Sequence, residues 1–386
     1  MIKKQKCLVV SSPYSWGGGI KTMVDEGLNL LKILNYEINL INPLYSRKTR
    51  RFNSEIKEIS TTQLIDFDKF PLFHHIIFGF KRRYLQEEKY GVALGIVATS
   101  HTALPLALSR RPFCIWVATS YADELEAKFS SSSGDEPAKR LRNSIQWLFL
   151  EKIERYVLRK AVSVLALSDH TASKLLELEP DIKTRLNVFP LPIDTKLFSP
   201  KKSIKKIKGL LINIGRINDP RKNTSLLIKA FSKIKNIHPQ ARLLLIGEKM
   251  NIELSCLVRS LKLEDSIKII DNMPRKKLIK YLRRAEIFIA TPVQEGLGIS
   301  ILEAMSCGLP VIVTRCGGPE TAIRMGGGIV TKNNEEDFSK AVIRLLSNSQ
   351  TRKKMGTEGR KNILNNYSFT SRVKELATEL EKQYDR

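Results

Sequence analysis

Short apolar runs alternate with longer amphipathic stretches along almost the whole chain, and this alternation limits the fold more than any other feature. Such runs are typical of strands, and the stretches between them are typical of helices that cross over a sheet. The first pair is the clearest: residues 7–11 predict a strand, and residues 20–34 predict a helix with one apolar face. The pattern therefore predicts an α/β protein with mostly parallel sheets.

The alternation occurs in two series, so the organisation of the chain repeats although its sequence does not. In the first series, further strands are predicted at 37–42, 92–99, 114–118 and 162–167. In the second series, strands are predicted at 210–214, 242–246, 267–270, 287–290 and 311–314. Two series of this length predict two domains, because 386 residues exceed what one hydrophobic core usually organises.

The segment between the two series has a different composition. It contains Pro190, Pro192 and Pro200, followed by five lysines between Lys201 and Lys208, as is typical of a linker. We therefore predict a first domain at 1–195, a linker at 196–208 and a second domain at 209–366. Residues 367–386 are helical by pattern and are expected to pack back on the first domain.

Charge and cysteine content narrow the setting and the partners. A formal net charge of +26 favours anionic partners such as nucleotide diphosphates, acidic lipid surfaces or nucleic acid, although a biased base composition would produce the same excess. Five cysteines without metal-type pairs favour reduced thiols. The chain lacks a signal-peptide core and a run of about eighteen apolar residues. We therefore expect a cytoplasmic protein.

Contact with the inner face of a membrane is an open alternative. Residues 70–84 combine aromatic side chains with a basic end, which suits a helix lying at a lipid surface. An ordinary helix packed on the first sheet explains the same pattern.

Two segments offer cations or backbone amides to an anion. Gly17, Gly18 and Gly19 follow the first strand, where glycine lets the backbone approach a ligand and the next helix presents unpaired N–H groups. Arg216 and Lys222 follow the first strand of the second domain, where open α/β sheets bind ligands. A simple turn and a solvated basic loop are the competing interpretations.

Residues 295–311 are the most informative stretch. A strand ends at Ala290, glycines form a tight turn at 296 and 298, and a helix is expected from about Ile299 until Gly308 ends it. Free amides of Gly298 and Ile299 could meet a phosphate or sugar oxygen, and the carboxylates of Glu295 and Glu303 could accept hydrogen bonds from vicinal hydroxyls. An acid favoured by the helix dipole is the alternative for Glu303 alone.

This stretch resembles the E-x₇-E signature of the family 4 retaining glycosyltransferases, and the likeness extends over nearly the whole chain. The resemblance implies the GT-B fold, which has two Rossmann-like parallel-sheet domains facing a cleft and a C-terminal helix that crosses back. It implies transfer of a hexose-type sugar from a nucleotide-diphosphate-sugar donor to an acceptor hydroxyl with retention of configuration. A sugar, a glycolipid or a small molecule would be the acceptor.

The resemblance also implies a role for each matching residue. Arg216 and Lys222 would neutralise the donor diphosphate, and Glu303 would hold the nucleotide ribose. Glu295 would bind hydroxyls of the transferred sugar, with amides of Gly298 and Ile299 nearby. Gly18 and Gly19 would close the phosphate site from the first domain. No metal ion, cofactor or nucleic acid would be needed.

The chain departs from the family pattern in the first domain. Members often carry a histidine after a strand like 114–118, but residues 119–124 read Thr-Ser-Tyr-Ala-Asp-Glu. His101 is a candidate substitute, and Asp123 and Glu124 are alternative carboxylates for the acceptor. Two other functions stay open: epimerisation or hydrolysis of a nucleotide sugar on the same fold, and a non-catalytic basic binding module. The sequence does not identify the nucleotide, sugar, acceptor or oligomeric state.

Overall fold

The computed structural model describes residues 5–12, 18–42, 56–60, 90–109, 111–124 and 137–384. Contacts between Cα atoms divide the chain into two compact units, Met1–Leu191 with Phe369–Arg386, and Pro192–Ser368. In the part of the chain so described, no helix is both long and apolar enough to cross a membrane. The predicted helix at 70–84 lies outside these residues.

The first unit contains a seven-stranded parallel sheet in the order β3-β2-β1-β4-β5-β6-β7. Its strands are β1 Lys6–Ser11, β2 Glu37–Asn42, β3 Ile56–Ser60, β4 Val92–Val97, β5 Cys114–Val117, β6 Ser163–Ala166 and β7 Leu186–Val188. Its helices are α1 Gly18–Ile33, α2 Leu104–Leu108, α3 Pro137–Lys160 and α4 Asp169–Leu178, with 3₁₀ turns at Ser100–Ala103 and Pro180–Arg185. Every residue of β4, β5 and β6 is buried, as expected for parallel strands covered on both faces.

The second unit contains a six-stranded parallel sheet in the order β10-β9-β8-β11-β12-β13. Its strands are β8 Leu210–Ile214, β9 Arg242–Ile246, β10 Ile267–Ile270, β11 Ile287–Ala290, β12 Val311–Thr314 and β13 Gly328–Thr331. Its helices are α5 Thr224–Ile237, α6 Ile252–Ser260, α7 Arg275–Arg284, α8 Ile299–Ser306, α9 Gly318–Ile323, α10 Glu335–Ser347 and α11 Ser349–Asn366, with a 3₁₀ turn at Pro220–Lys222. Phe231 of α5 packs in a core with Leu211, Leu245 and Ile289 of the sheet.

The segment 196–208, for which a linker was predicted, packs on the second unit. Phe198 is fully buried, and the backbone N–H of Ile207 donates to the carbonyl of Arg284 at 2.8 Å. Arg360 donates to the carbonyls of Phe198 (2.8 Å) and Thr195 (2.9 Å), which ties the start of the segment to α11. The lysines of the segment therefore stand on a folded surface.

The last helix, α12 (Phe369–Glu381), belongs to the first unit, as the sequence predicted. Just beyond it, Gln383 accepts a hydrogen bond from the backbone N–H of Ala93 at 2.8 Å. Glu379 is buried and accepts hydrogen bonds from Ser163 and Asn187, which lie on β6 and β7. These polar contacts anchor the end of the chain to the sheet of the first unit.

Both sheets change direction of strand order at one place, between β1 and β4 in the first and between β8 and β11 in the second. Neighbouring crossover connections leave in opposite directions there, so the loops after the two strands splay apart. In open α/β sheets, ligands bind in the crevice outside the carboxyl ends of such strands. Most of the candidate residues follow one of these four strands in the chain.

Candidate active site

Arg216 and Lys222 lie in the loop between β8 and α5, where Asp219 is the organising residue. Asp219 caps the 3₁₀ turn by accepting the N–H of Arg221 at 3.0 Å, and it pairs with Arg221 (2.9 Å) and Arg216 (2.7 Å). Burial alone would raise the pKa of Asp219, but the two guanidinium groups outweigh it and hold the pKa below its ordinary value. The Arg216 side chain is 58% exposed, so its guanidinium is held at the surface of the site.

Two hydrogen bonds join this loop to the one after β11. Thr291 donates its hydroxyl to the carbonyl of Asn223 at 2.9 Å, and the N–H of Val293 donates to the carbonyl of Arg221 at 2.9 Å. Asn223 has a φ of 47°, in the left-handed region that asparagine tolerates better than most residues. The loops that carry Lys222 and Glu295 are therefore fixed to each other.

Glu295 and Lys222, which are 73 positions apart in the chain, form an ion pair in which the ammonium donates to Glu295 Oε2. The backbone N–H of Gly298 also donates to this carboxylate. Partial burial alone would raise the pKa of Glu295, whose side chain is 22% exposed, but Lys222 and the Gly298 N–H hold it below its ordinary value. Glu295 is thus a carboxylate at neutral pH, and it faces a cation.

The turn around Glu295 is closed by backbone contacts. The N–H of Glu295 donates to the carbonyl of Cys316 at 3.0 Å, and the N–H of Gly318 donates to the carbonyl of Glu295 at 2.8 Å. A side chain at 318 would not fit, because a Cβ there would lie 2.0 Å from the carbonyl oxygen of Gly296. The backbone that carries Glu295 is therefore held in one position.

Gly298 is the residue before α8 and has a φ of 77°, a conformation that favours glycine. A Cβ at this position would also lie 2.7 Å from Ile301. Ile299 is the first residue of the helix, and Ser300 donates its hydroxyl to the carbonyl of Ile214 at the end of β8, at 3.1 Å. The helix start is thereby fixed at the carboxyl edge of the sheet, close to both Glu295 and the β8 loop.

Glu303 lies on α8, and its side chain is only 4% exposed. Arg275 donates from Nε to Glu303 Oε1 at 2.6 Å, and its guanidinium lies 5.3 Å from the centroid of the Phe198 ring. Sequence analysis did not single out Arg275. The one available signal was its position at the start of the helix that precedes the signature, where a cation is unfavourable to the helix dipole and needs another reason.

Gly18 and Gly19 begin α1, and Gly19 is exposed; Gly17 lies outside the described residues. At the switch point of the first sheet, Ser12 accepts the N–H of Ala98 at 2.8 Å and contacts the hydroxyl of Thr102 at 3.3 Å. The loops after β1 and β4 are therefore joined, as in the second unit.

His101, the candidate substitute for the family histidine, is 4% exposed. Its Nδ1 lies 3.1 Å from the hydroxyl of Thr99, and its ring meets the edge of Tyr121 at 5.3 Å between centroids. These contacts are those of a packed histidine whose ring supports the loop after β5.

A second histidine stands at the same edge of the first sheet. His170, on the first turn of α4, lies 3.2 Å from Asp123 Oδ2, and Thr119 donates to the same oxygen at 3.1 Å. His170 is partly exposed and Asp123 is nearly buried. Sequence analysis named Asp123 and missed His170, whose signal was its place three positions after the end of the apolar run at 162–167.

Glu154 is a buried carboxyl of α3 that joins two loops at this edge. It accepts the N–H and hydroxyl of Ser100 (3.0 and 2.8 Å) and the N–H of Tyr121 (3.1 Å). Burial raises the pKa of Glu154 from 4.5 to about 7, because these donors only partly offset the loss of solvation.

We expect Glu154 to make the stability of the fold depend on pH. A folded-state pKa above the unfolded value means that the folded protein binds the proton more tightly, so stability falls as pH rises from about 4.5 towards 7, by at most about 1.4 kcal/mol per unit. Glu154→Gln should flatten this slope while lowering stability overall, since the amide offers only one acceptor oxygen. Urea unfolding at several pH values measures the slope. Glu151→Gln on the same helix is the control, and an unchanged slope in Glu154→Gln would contradict the assignment.

The known proteins that this chain resembles in sequence are mostly named as glycosyltransferases or mannosyltransferases. Residues 194–362 match the family described as glycosyl transferases group 1. A D-inositol 3-phosphate glycosyltransferase from Nocardiopsis dassonvillei is 26% identical over 322 residues, which are 75% of this chain and 71% of that protein. An MMP alpha-(1->4)-mannosyltransferase from Mycolicibacterium hassiacum is 24% identical over 61% of this chain and 58% of that protein.

Solved structures share the fold. The sucrose-phosphate synthase from Thermosynechococcus elongatus superposes with a TM-score of 0.79 at 16% identity, covering 99% of this chain and 100% of that one. This likeness and the two parallel sheets confirm the GT-B fold class that the sequence predicted. This chain spans only about half of the length of most of the curated relatives that it matches, for example 58% of the mannosyltransferase and 51% of a probable sucrose-phosphate synthase from Thermosipho melanesiensis.

Proposed function

We propose that the protein is a retaining hexosyltransferase, because residues 194–362 match the family described as glycosyl transferases group 1. It moves a sugar from a nucleotide-diphosphate-sugar donor to an acceptor hydroxyl of a sugar, a glycolipid or a small molecule. The observation that carries this proposal is the pairing of Lys222 with Glu295 at the point where β8 and β11 diverge.

The pair supplies both kinds of group that a nucleotide sugar needs. A diphosphate requires cations and N–H donors, whereas a hexose requires acceptors for its hydroxyl hydrogens. The Lys222 ammonium has three donors, so it can contact Glu295 and a phosphate oxygen together. The Glu295 carboxylate would accept hydroxyls of the sugar, with the amides of Gly298 and Ile299 beside it.

Arg216 and Lys222 would oppose the negative charge that grows on the diphosphate as the glycosidic bond breaks. Electrostatic stabilisation of this kind is usually the largest part of catalysis, because the charges are already in position when the reaction occurs. In a retaining reaction, the acceptor hydroxyl attacks from the face that the diphosphate leaves, so the leaving group itself can take up the proton of that hydroxyl.

Glu303 would accept the ribose hydroxyls of the donor, with its carboxylate oriented by Arg275. In the first unit, His170 would contact the acceptor hydroxyl, because its imidazole is partly exposed and is held by the Asp123 carboxylate. Gly18 and Gly19 would contact the donor phosphates, as the resemblance implies, and this contact stays a prediction.

We predict that the sugar transfer needs no bound metal ion. Among the described residues, no group of three or more histidine, cysteine or acidic side chains could hold a metal ion. The sequence contains an Asp-x-Asp pair at Asp66 and Asp68, a spacing that can serve a metal ion, and both residues lie outside those that the structure describes. Turnover with and without a chelator, with Mg²⁺ or Mn²⁺ added back, tests the prediction.

The experiment that tests the function is turnover of a panel of UDP-, GDP- and ADP-sugars by the purified chain. We expect nucleoside diphosphate release from one donor, a rate that rises with acceptor, and a product whose anomeric configuration matches the donor. Thermal melts with UDP, GDP and ADP provide an independent measure, because a ligand at about 100 times its Kd stabilises a fold by about 2.7 kcal/mol.

The alternatives give different results in the same experiment. Full turnover without any acceptor would indicate an epimerase or hydrolase on this fold. Neither binding nor turnover with any donor would overturn the proposal and favour a non-catalytic binding module. The buried acid Glu303 already argues against the module, since recognition of an anion gains nothing from it.

A further inference from the structure

The second unit carries a concentration of positive charge on segment 199–209 and on helix α7. Segment 199–209 runs beside α7: Arg283 donates to the carbonyl of Ser199 at 2.7 Å, and Lys206 donates to the carbonyl of Ala285 at 2.9 Å. The exposed cations of the two neighbouring segments form what we call the basic face: Lys201, Lys202, Lys205, Lys208, Lys276, Lys277, Lys280 and Arg284.

None of these eight side chains makes an ion pair with a described residue, and segments 199–209 and 275–285 contain no acid. The basic surface of α5 and α10 in the same unit is balanced by acids: Lys233 and Lys340 both pair with Glu336, at 3.0 and 3.1 Å. A face of eight unopposed cations repels itself, so an anionic partner would lower its free energy.

We propose that the basic face docks the protein on an anionic lipid surface. Seven of its eight cations are lysines, which act as point charges and suit a diffuse layer of anionic headgroups. Reading of bases relies on bidentate Arg, Asn or Gln, which this face almost lacks.

An apolar side chain within the face supports a lipid surface over nucleic acid. Ile207 lies between Lys206 and Lys208 and is 42% exposed. A lipid interface offers headgroups to the lysines and an apolar boundary to Ile207, whereas a phosphate backbone offers nothing to the isoleucine. This docking is independent of the donor chemistry proposed above.

Vesicle co-sedimentation of the full chain tests the proposal. We expect binding to vesicles of phosphatidylcholine with phosphatidylglycerol, no binding to phosphatidylcholine alone, and loss of binding as salt rises. The triple variant Lys205→Gln, Lys277→Gln, Lys280→Gln should lower the partition onto anionic vesicles by about 10²-fold, roughly fivefold for each lysine. Its thermal melt shows whether the variant is folded.

A matched variant separates this face from net charge. Lys353→Gln, Lys354→Gln, Lys361→Gln removes the same charge from exposed positions on α11 and should keep most of the vesicle binding. Equal losses in the two variants would overturn the proposal, as would absence of binding by the unaltered chain. Tighter binding to a DNA or RNA duplex than to anionic vesicles at physiological salt would also overturn it.

Discussion

Replacing Glu295 by glutamine is expected to lower sugar transfer by about 10²–10³-fold while the chain keeps its fold. The amide has the shape of the carboxylate but lacks its charge, so it neither orients the Lys222 ammonium as strongly nor accepts sugar hydroxyls at both oxygens. The measurement is kcat/KM for the donor, with the binding of the free nucleoside diphosphate measured in parallel. Nucleotide affinity should change little, because the residue contacts the sugar in this proposal.

Glu264→Gln, on an exposed loop of the same unit, is the control for the change of residue type. If Glu295→Gln kept more than about a tenth of the activity, Glu295 would only hold its loop in place, since loss of an electrostatic contact at the reaction centre usually lowers the rate by more than about tenfold.

The pKa of Glu295 also predicts how the ion pair with Lys222 depends on pH. Because the pKa of Glu295 is held below its ordinary value, the ion pair is intact at neutral pH and is lost only as the medium becomes acidic.

The fold of the second unit was predictable because its strands are short, buried and apolar. The five strands predicted there coincide with β8 to β12. The sixth, β13, was missed because its run Gly-Ile-Val-Thr is only partly buried and directly follows Gly326 and Gly327. In the first unit, β3 has the charged residues Lys57 and Glu58 at its centre and β7 has only three residues, so neither has the continuous apolar run that marks a buried strand.

The residues of the candidate site, like the strands, could be predicted only in part from the sequence. Glu295, Arg216 and Lys222 could be named because each follows a predicted strand, and parallel strands bring their carboxyl ends to one edge. Arg275 and His170 were not predicted as site residues, because their importance comes from partners far along the chain. Glu303 lies 28 positions after Arg275, and His170 lies 47 positions after Asp123. Sequence position gives the edge of the sheet, but side-chain pairing depends on helix placement, which short-range patterns do not contain.

Removing Lys222 is expected to have the other large effect, and to exceed the effect of removing Arg216. Lys222→Ala withdraws the cation beside the leaving diphosphate and leaves Glu295 without its counterion, so we expect a loss of about 10²–10³-fold in kcat and a lower melting temperature. Arg216→Ala should retain stability, because Asp219 is still paired with Arg221 at 2.9 Å.

The double variant Lys222→Ala, Glu295→Gln distinguishes an ion pair that acts in catalysis from one that only holds the fold. Because the second change removes the carboxylate that the first leaves without a counterion, the double variant should unfold at a higher temperature than Lys222→Ala alone. Its activity should nevertheless stay as low as that of the worse single variant, since both groups that contact the donor are gone. If activity recovered together with stability, the pair would be structural and the diphosphate would be neutralised elsewhere.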